Sequence, residues 1–150
     1  MASEALWPRW QGMRLLPAMP LLPLLLLALV GCNRPNYETP VKAYETFHRE
    51  AQRGNYKEAW SALSKPTHEA LQARAQTVAQ ASGGAVKADP VAFFFANVPP
   101  PADVTKVSLL SEDGEVAKVS VVSSTGESQV RMVRESSGWK VDLLESLQQP

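Results

Sequence analysis

Residues 104–144, VTKVSLLSEDGEVAKVSVVSSTGESQVRMVRESSGWKVDLL, decide the fold. Apolar and polar residues alternate within them with a period of two, which predicts strands at 104–110, 115–123, 127–135 and 138–144. Asp113-Gly114, Thr125-Gly126 and Ser136-Ser137-Gly138 separate these stretches and favour tight turns. Three such turns in succession predict a four-stranded antiparallel meander.

The two faces of this predicted sheet differ in character. One face carries apolar side chains: Val107, Leu109, Ala117, Val119, Val121, Val130, Met132, Trp139, Val141 and Leu143. The other face carries the charged residues Lys106, Lys118, Arg131, Lys140 and Asp142, and is expected to face solvent, with anionic lipid or a partner as the alternative. An apolar face must be covered, so the residues upstream are expected to form helices that pack on it.

The upstream residues carry helix signals. Thr39-Pro40 reads as a cap and first turn, and the helix that follows should bury Val41, Tyr44, Phe47 or His48, and Ala51 before Gly54-Asn55 stops it. Further helices are predicted at 56–63, at about 66–80 with Leu71, Ala75 and Val78 buried, and after Asp89-Pro90 with Phe93, Phe94 and Phe95. The fold class is therefore α+β, with N-terminal helices packed on a curled four-stranded antiparallel sheet.

The first 31 residues differ from the rest. Residues 15–30, LLPAMPLLPLLLLALV, are apolar throughout, follow Arg14 and precede Gly31-Cys32, which is typical of an export signal. Sixteen residues interrupted by three prolines are too short and too broken for the ~20-residue helix that spans a bilayer. Residues 1–31 are interpreted as a signal peptide, with Met13 as the expected start of translation.

The end of this segment carries a family resemblance. Leu29-Val30-Gly31-Cys32 resembles the lipobox of bacterial lipoproteins, and Cys32 is the one cysteine of the chain. The resemblance implies cleavage between Gly31 and Cys32 and attachment of lipid to Cys32, which would hold the protein on a membrane. Because Asn33 is not the aspartate of an inner-membrane retention signal, an outer-membrane location facing the periplasm is favoured. Residues 32–39 are then a lipidated tether, 40–146 a single domain and 147–150 a tail.

The domain resembles the cone-shaped members of the nuclear transport factor 2-like superfamily. The resemblance rests on Ala43-Tyr44-Glu45-Thr46-Phe47, on residues 54–60 (GNYKEAW) and on the closing strand at 138–143 (GWKVDL). Enzymes of that superfamily place an acid or base in the pocket between helices and sheet. The inward strand positions here are aliphatic or Trp139, and alternation places Asp142 on the opposite face, so no catalytic residue is assigned.

The candidate pocket is accordingly lined by aromatic residues: Tyr44, His48, Trp60, Phe93, Phe94, Phe95 and Trp139. The three phenylalanines could form a lid over a ligand, but a plug for the open end of the core is preferred. His48 is interpreted as a partly exposed residue at the edge of its helix face, and His68 as solvent-facing. No metal site or cofactor is predicted, because the two histidines form no ligand cluster.

The balance of basic and acidic residues bears on which partners the protein can bind. The chain has 15 basic and 15 acidic residues without a basic cluster, which argues against nucleic-acid binding. The leading hypothesis is a lipid-anchored, non-catalytic binding or structural domain of the cell envelope, contacting a protein partner or a second copy through the sheet. The alternative is a carrier of a small apolar ligand or an isomerase-like enzyme, which would require a cavity of several hundred cubic ångströms with converging polar groups.

Overall fold

The computed structural model describes residues 34–98 and 100–148. Its helices are α1 (Pro40–Gln52), α2 (Tyr56–Ser61), α3 (Lys65–Ala81), α4 (Pro90–Asn97) and α5 (Leu144–Gln148). Its strands are β1 (Lys106–Asp113), β2 (Val116–Ser123), β3 (Gly126–Glu135) and β4 (Gly138–Asp142). The predicted fold class is confirmed: helices come first and are followed by a curled antiparallel sheet in the order β1-β2-β3-β4.

Local capping starts three of the helices where the sequence predicted. The Thr39 side chain accepts a hydrogen bond from the Lys42 amide, and the Asp89 side chain accepts from the Val91 and Ala92 amides. Ser64 caps α3 in the same way by accepting from the Thr67 amide. Each cap precedes a proline in the first turn, where the missing amide proton is not needed.

The core lies between the helices and one face of the sheet. Tyr44 and Phe47 of α1, Leu71 of α3 and Phe94 of α4 are buried against the strands. The strands contribute Ala117, Val119, Val121, Met132, Trp139 and Val141. The predicted apolar face is therefore the buried face over β2, β3 and β4.

Several predicted positions differ. Leu109 is 46 % exposed because the helices cover only the beginning of β1, where Val107 and Ser108 are half-buried. Val78 is 37 % exposed near the end of α3, and α2 ends at Ser61 rather than at residue 63. We expected the domain to end at residue 146, but α5 continues to Gln148 and Leu147 is buried.

The largest correction concerns β4, which is buried on both faces. The segment between α2 and α3 runs alongside it: the Ser64 amide donates to the Val141 carbonyl, and the Val141 amide donates to the Ala62 carbonyl. Lys140 and Asp142, expected to face solvent, are therefore only 6 % and 8 % exposed. The expectation of a solvated face is wrong for this strand, because a second segment pairs with its outer edge.

The expected tether also differs from the structure. Asn36 exchanges two hydrogen bonds with the Thr46 side chain, and the Tyr37 carbonyl accepts from the Trp139 amide at 2.8 Å. Gly138 permits this approach, since a Cβ atom there would lie 2.6 Å from the Tyr37 carbonyl oxygen. Asn36 and Tyr37 are thus bound to α1 and β4, and the domain begins before Pro40.

Candidate functional site

A cleft opens on the core between α1, α4 and the last two strands of the sheet. Its volume is about 160 Å³. Its walls are mostly apolar and comprise Tyr44, Phe47, Phe94, Val98, Pro100, Pro101, Ser128, Val130, Val141 and Leu143. The cleft lies between helices and sheet, and its walls include Tyr44 and Phe94, two residues of the candidate pocket.

Tyr44 supplies the main polar group of this cleft. Its ring is 4 % exposed, and burial raises the pKa of its hydroxyl to about 12. The hydroxyl therefore stays protonated at neutral pH and offers a hydrogen-bond donor among apolar walls. Ser128, on β3, is the other side chain with a hydroxyl in the lining.

The structure separates the predicted pocket residues into two groups. Tyr44 and Phe94 line the cleft, whereas Trp139 is buried in the core at 2 % exposure. Trp60 stacks on His68 with ring centroids 4.4 Å apart and meets the edge of Phe94 at 6.5 Å. These aromatic residues pack the domain and do not converge on one cavity.

The remaining two phenylalanines of α4 are half-buried. Phe95 stacks on Tyr56 at 4.5 Å between ring centroids, and Phe93 packs against the core. Phe94, between them, is 1 % exposed and closes the core below the cleft. This placement agrees with a plug, the reading preferred from the sequence.

Both histidines are engaged with backbone carbonyls. His48 Nε2 lies 2.6 Å from the Pro101 carbonyl, so the ring ties α1 to the proline segment and stays outside the cleft lining. His68 Nε2 lies 2.7 Å from the Trp60 carbonyl. The expectation that His68 faces solvent is wrong, because its ring lies half-buried on Trp60.

Sequence reasoning missed a buried polar cluster behind the sheet. Asp142 accepts hydrogen bonds from Ser64 Oγ at 2.9 Å and from Thr67 Oγ1 at 3.2 Å. Arg131 Nε lies 3.1 Å from Asp142 Oδ2, close enough for an ion pair but without the alignment of a hydrogen bond. Alternation had assigned both charges to the outer face, and only the pairing of residues 62–64 with β4 brings the serine and threonine to them.

Lys140 and Glu50 are charged residues whose burial the sequence did not predict. Lys140 Nζ donates to the Ser61 carbonyl at 2.8 Å and lies 4.2 Å from the Tyr37 ring centroid, and burial lowers its pKa. Glu50 accepts from Asn55 Nδ2 and Arg49 Nε, both at 2.8 Å, and the bond from Asn55 is the main reason that its pKa is lowered. Each charge joins two neighbouring segments of the fold.

A hollow of about 280 Å³ is lined by Ala51, Gln52, Tyr56, Phe95, Pro100 and Ala102. Two smaller hollows also lie outside the core. One, of about 160 Å³, lies between α1 and the start of β1 and is lined by Glu45, His48 and residues 104–107. The other, of about 140 Å³, is polar and is lined by Lys118, Gln129, Val130, Arg131, Asp142, Leu143, Glu145 and Ser146. Its carboxylates are already engaged, since Asp142 and Glu145 both contact Arg131.

The described residues contain neither a metal-binding cluster nor a membrane-spanning helix. Within 34–98 and 100–148, no three histidine, cysteine, aspartate or glutamate side chains are grouped as a metal site would need. No helix in the same ranges combines the length and the apolar character of a membrane span. Gly31 and Cys32, the predicted cleavage and lipidation site, lie outside the described residues.

Comparison with protein-family models, with curated proteins and with solved structures found no match to this chain.

Proposed function

We propose that this chain is a lipid-anchored lipoprotein of the bacterial cell envelope whose α+β domain is a non-catalytic binding or structural module. The observation that carries the proposal is the tetrapeptide Leu29-Val30-Gly31-Cys32, which ends an apolar segment and contains the chain's one cysteine. A thiol at this position is the nucleophile that diacylglycerol transfer requires. The favoured location is the outer membrane, with the domain facing the periplasm.

The docking of the N-terminal segment supports a module held near its anchor. Asn36 is bound to Thr46, and three residues separate it from Cys32. Four extended peptide units span at most about 14 Å. An anchor at Cys32 would therefore keep Asn36 within about 14 Å of the lipid-bearing residue.

The nuclear transport factor 2-like assignment is part of this proposal. It is supported by the order of elements, with helices before a curled antiparallel meander, and by a cleft between the two layers. The cleft volume of about 160 Å³ is below the roughly 300–1,000 Å³ typical of small-molecule sites. This size favours a binding or structural role over a pocket enzyme.

A labelling experiment tests the anchor. The full chain, expressed in a bacterium supplied with labelled palmitate, should incorporate the label, and mass spectrometry should find a lipidated N-terminus at Cys32. Cys32→Ser should abolish incorporation. The double variant Cys32→Ser/Ser136→Cys is the matched control, because it restores a thiol on an exposed turn outside the lipobox. Label in either variant, or none in the wild type, would refute the anchor.

A carrier of a small apolar ligand is the second candidate, favoured by one observation: the cleft is apolar and contains the protonated Tyr44 hydroxyl. Native mass spectrometry of the chain as purified tests it. A co-purified small molecule that is lost in a variant with a filled cleft would support the carrier. Bare protein in both samples would leave the non-catalytic module as the function.

A further inference from the structure

The two edge strands of the sheet differ in whether another described segment pairs with their outer side. The outer edge of β4 is occupied by residues 62–64, which exchange backbone hydrogen bonds with Val141. At the other edge, β1 pairs with β2 on one side, and no described segment pairs with its other side. An edge strand with free amide and carbonyl groups is a template for another strand.

The two ends of β1 carry opposite charges. Its sequence, KVSLLSED, begins with Lys106 and ends with Asp113. The central residues Leu109 and Leu110 are 46 % and 48 % exposed, so two large aliphatic side chains are adjacent on the edge strand. If two such strands pair antiparallel about their centre, each lysine meets an aspartate and the leucines meet each other.

A β-bulge makes this register consistent with the faces of the sheet. Residues that lie opposite each other in an antiparallel pair share a face, whereas Lys106 and Asp113, seven positions apart, would lie on opposite faces of a regular strand. The register shifts between Leu109 and Ser111, so that Lys106 pairs with Val122 and Asp113 with Val116. Val122 and Val116 are six positions apart and share a face, and therefore Lys106 and Asp113 share one too.

The inner positions follow the same register. Val107 and Glu112 pair with Val121 and Ala117 and would lie opposite each other on the helix-facing side. Ser108 pairs with Ser120 and Ser111 pairs with Lys118, so both serines lie on the charged face. Two-fold pairing of β1 with a copy of itself would thus place serine opposite serine on that face. It would also bring the partner's β1–β2 turn beside the hollow of about 160 Å³ at the start of β1.

We propose that β1 pairs antiparallel with β1 of a second copy of this chain, with Lys106 opposite Asp113 of the second copy and Leu109 opposite its Leu110. The result is a continuous eight-stranded sheet with both helical layers on one side. The inference names a partner for the binding module and rests on the proposed function in one respect: anchoring at Cys32 confines the copies to one membrane and raises their effective concentration. The competing role of the bulge is to blunt the edge against association, which would leave the chain monomeric.

A charge swap distinguishes the two roles. Within one chain, Lys106 and Asp113 are about 23 Å apart along the strand, so they contact each other only between copies. Lys106→Glu or Asp113→Lys should each raise the dimer dissociation constant about tenfold, since both symmetric pairs become repulsive. The double variant Lys106→Glu/Asp113→Lys should return it to within about twofold of wild type.

Sedimentation of the detergent-solubilised full chain over a concentration series measures these constants. A monomeric wild type, or a double variant no tighter than the single variants, would overturn the proposal. Thermal unfolding of each variant checks that the fold is intact, which we expect because both side chains are exposed.

Cysteine cross-linking in membranes tests the register. Differently tagged copies carrying Ser108→Cys and Ser111→Cys should form a disulfide with each other when oxidised and should not do so when either copy is expressed alone. In the proposed register, position 108 of one copy lies about 10 Å along the strand from position 108 of the other, and the same holds for position 111, which is too far for a disulfide between like copies. Ser108→Cys with Ser136→Cys, a position on the distant β3–β4 turn, is the matched control and should give no cross-link.

The two proposals fail separately. Palmitate incorporation without the cross-link would overturn the dimer and leave the anchor intact. Cross-linking without palmitate incorporation would refute the anchor and leave the pairing of β1 established.

Discussion

Tyr44 shows how burial changes the chemistry of one residue. Its ring contacts the ring of Phe47 and stacks on that of His48, and the residue lines an apolar cleft, so that a buried phenolate would lose its hydration. The pKa of the hydroxyl is consequently raised from the usual 10.0 to about 12. The folded protein thus holds a proton that the unfolded chain releases near pH 10.

This pKa difference predicts a loss of stability at alkaline pH. The folded-state pKa is above the unfolded value, so the stability contributed by protonated Tyr44 is complete below pH 10 and is lost as the pH rises toward 12. Two pKa units correspond to about 3 kcal/mol in the free energy of unfolding. Urea unfolding at pH 8, 10 and 11.5 should show Tyr44→Phe losing less stability with pH than wild type.

Tyr56→Phe is the matched control, since Tyr56 is 47 % exposed. Its stability should follow that of the wild type across the series. Parallel curves for wild type and Tyr44→Phe would show that the Tyr44 phenolate is solvated in the folded protein.

At the scale of elements, Ser64 performs two tasks with one hydroxyl. It caps α3 by accepting from the Thr67 amide at 3.3 Å, and it donates to Asp142 of β4 at 2.9 Å. Thr39 caps α1 in an exposed position and has no second task. The two caps therefore separate the contribution of capping from that of the link to the sheet.

Ser64→Ala should destabilise the protein more than Thr39→Ala. Loss of a cap alone costs about 1 kcal/mol, and loss of a hydrogen bond to a buried charge adds about 1.5–3 kcal/mol. Chemical denaturation of both variants measures the difference in the free energy of unfolding. Equal losses would mean that Asp142 is satisfied by Thr67, the Leu144 amide and Arg131 without Ser64.

The same elements show what the sequence could predict. The helix starts at Pro40 and Pro90 were predictable because a cap and a proline act within one turn, and the hairpin at Asp113-Gly114 because turn chemistry is local. The burial of Lys140 and Asp142 was not, because it depends on pairing between segments 78 residues apart in the chain. Alternation along a strand identifies its two faces and does not show that a second segment covers one of them.

The residues of the candidate site also divide into those that local sequence predicts and those that depend on contacts between distant segments. Tyr44 and Phe94 were placed correctly because each lies on the apolar side of its own helix. Trp60 lies outside the cleft that these two residues line, because its ring stacks on His68. The contact of the partly exposed His48 with the Pro101 carbonyl could not be predicted, because only the folded chain creates it. Tyr37 was assigned to a tether because nothing local shows that Gly138 leaves room for its backbone.

For the molecule as a whole, the question is whether the cleft is a packing defect or a ligand site, and a substitution that fills it distinguishes the two. Ser128 lines its rim on β3 and lies opposite Val121, on the helix-facing side of the sheet. If the domain is a non-catalytic module, Ser128→Val should fill part of the cleft with apolar volume. Because Ser128 is exposed, the added methyl groups are only partly buried, and we expect the free energy of unfolding to rise by less than about 1 kcal/mol.

Gln129→Val on the same strand is the control, because it adds a β-branched residue on the opposite face of the sheet without entering the cleft. Thermal unfolding should separate the two variants in favour of Ser128→Val, while palmitate incorporation and the β1 cross-link remain unchanged in both. A carrier behaves differently, since filling the cleft displaces its ligand and removes the stability that the ligand supplied. If Ser128→Val is less stable than Gln129→Val and has lost a co-purified molecule, the carrier becomes the function and the structural module is refuted.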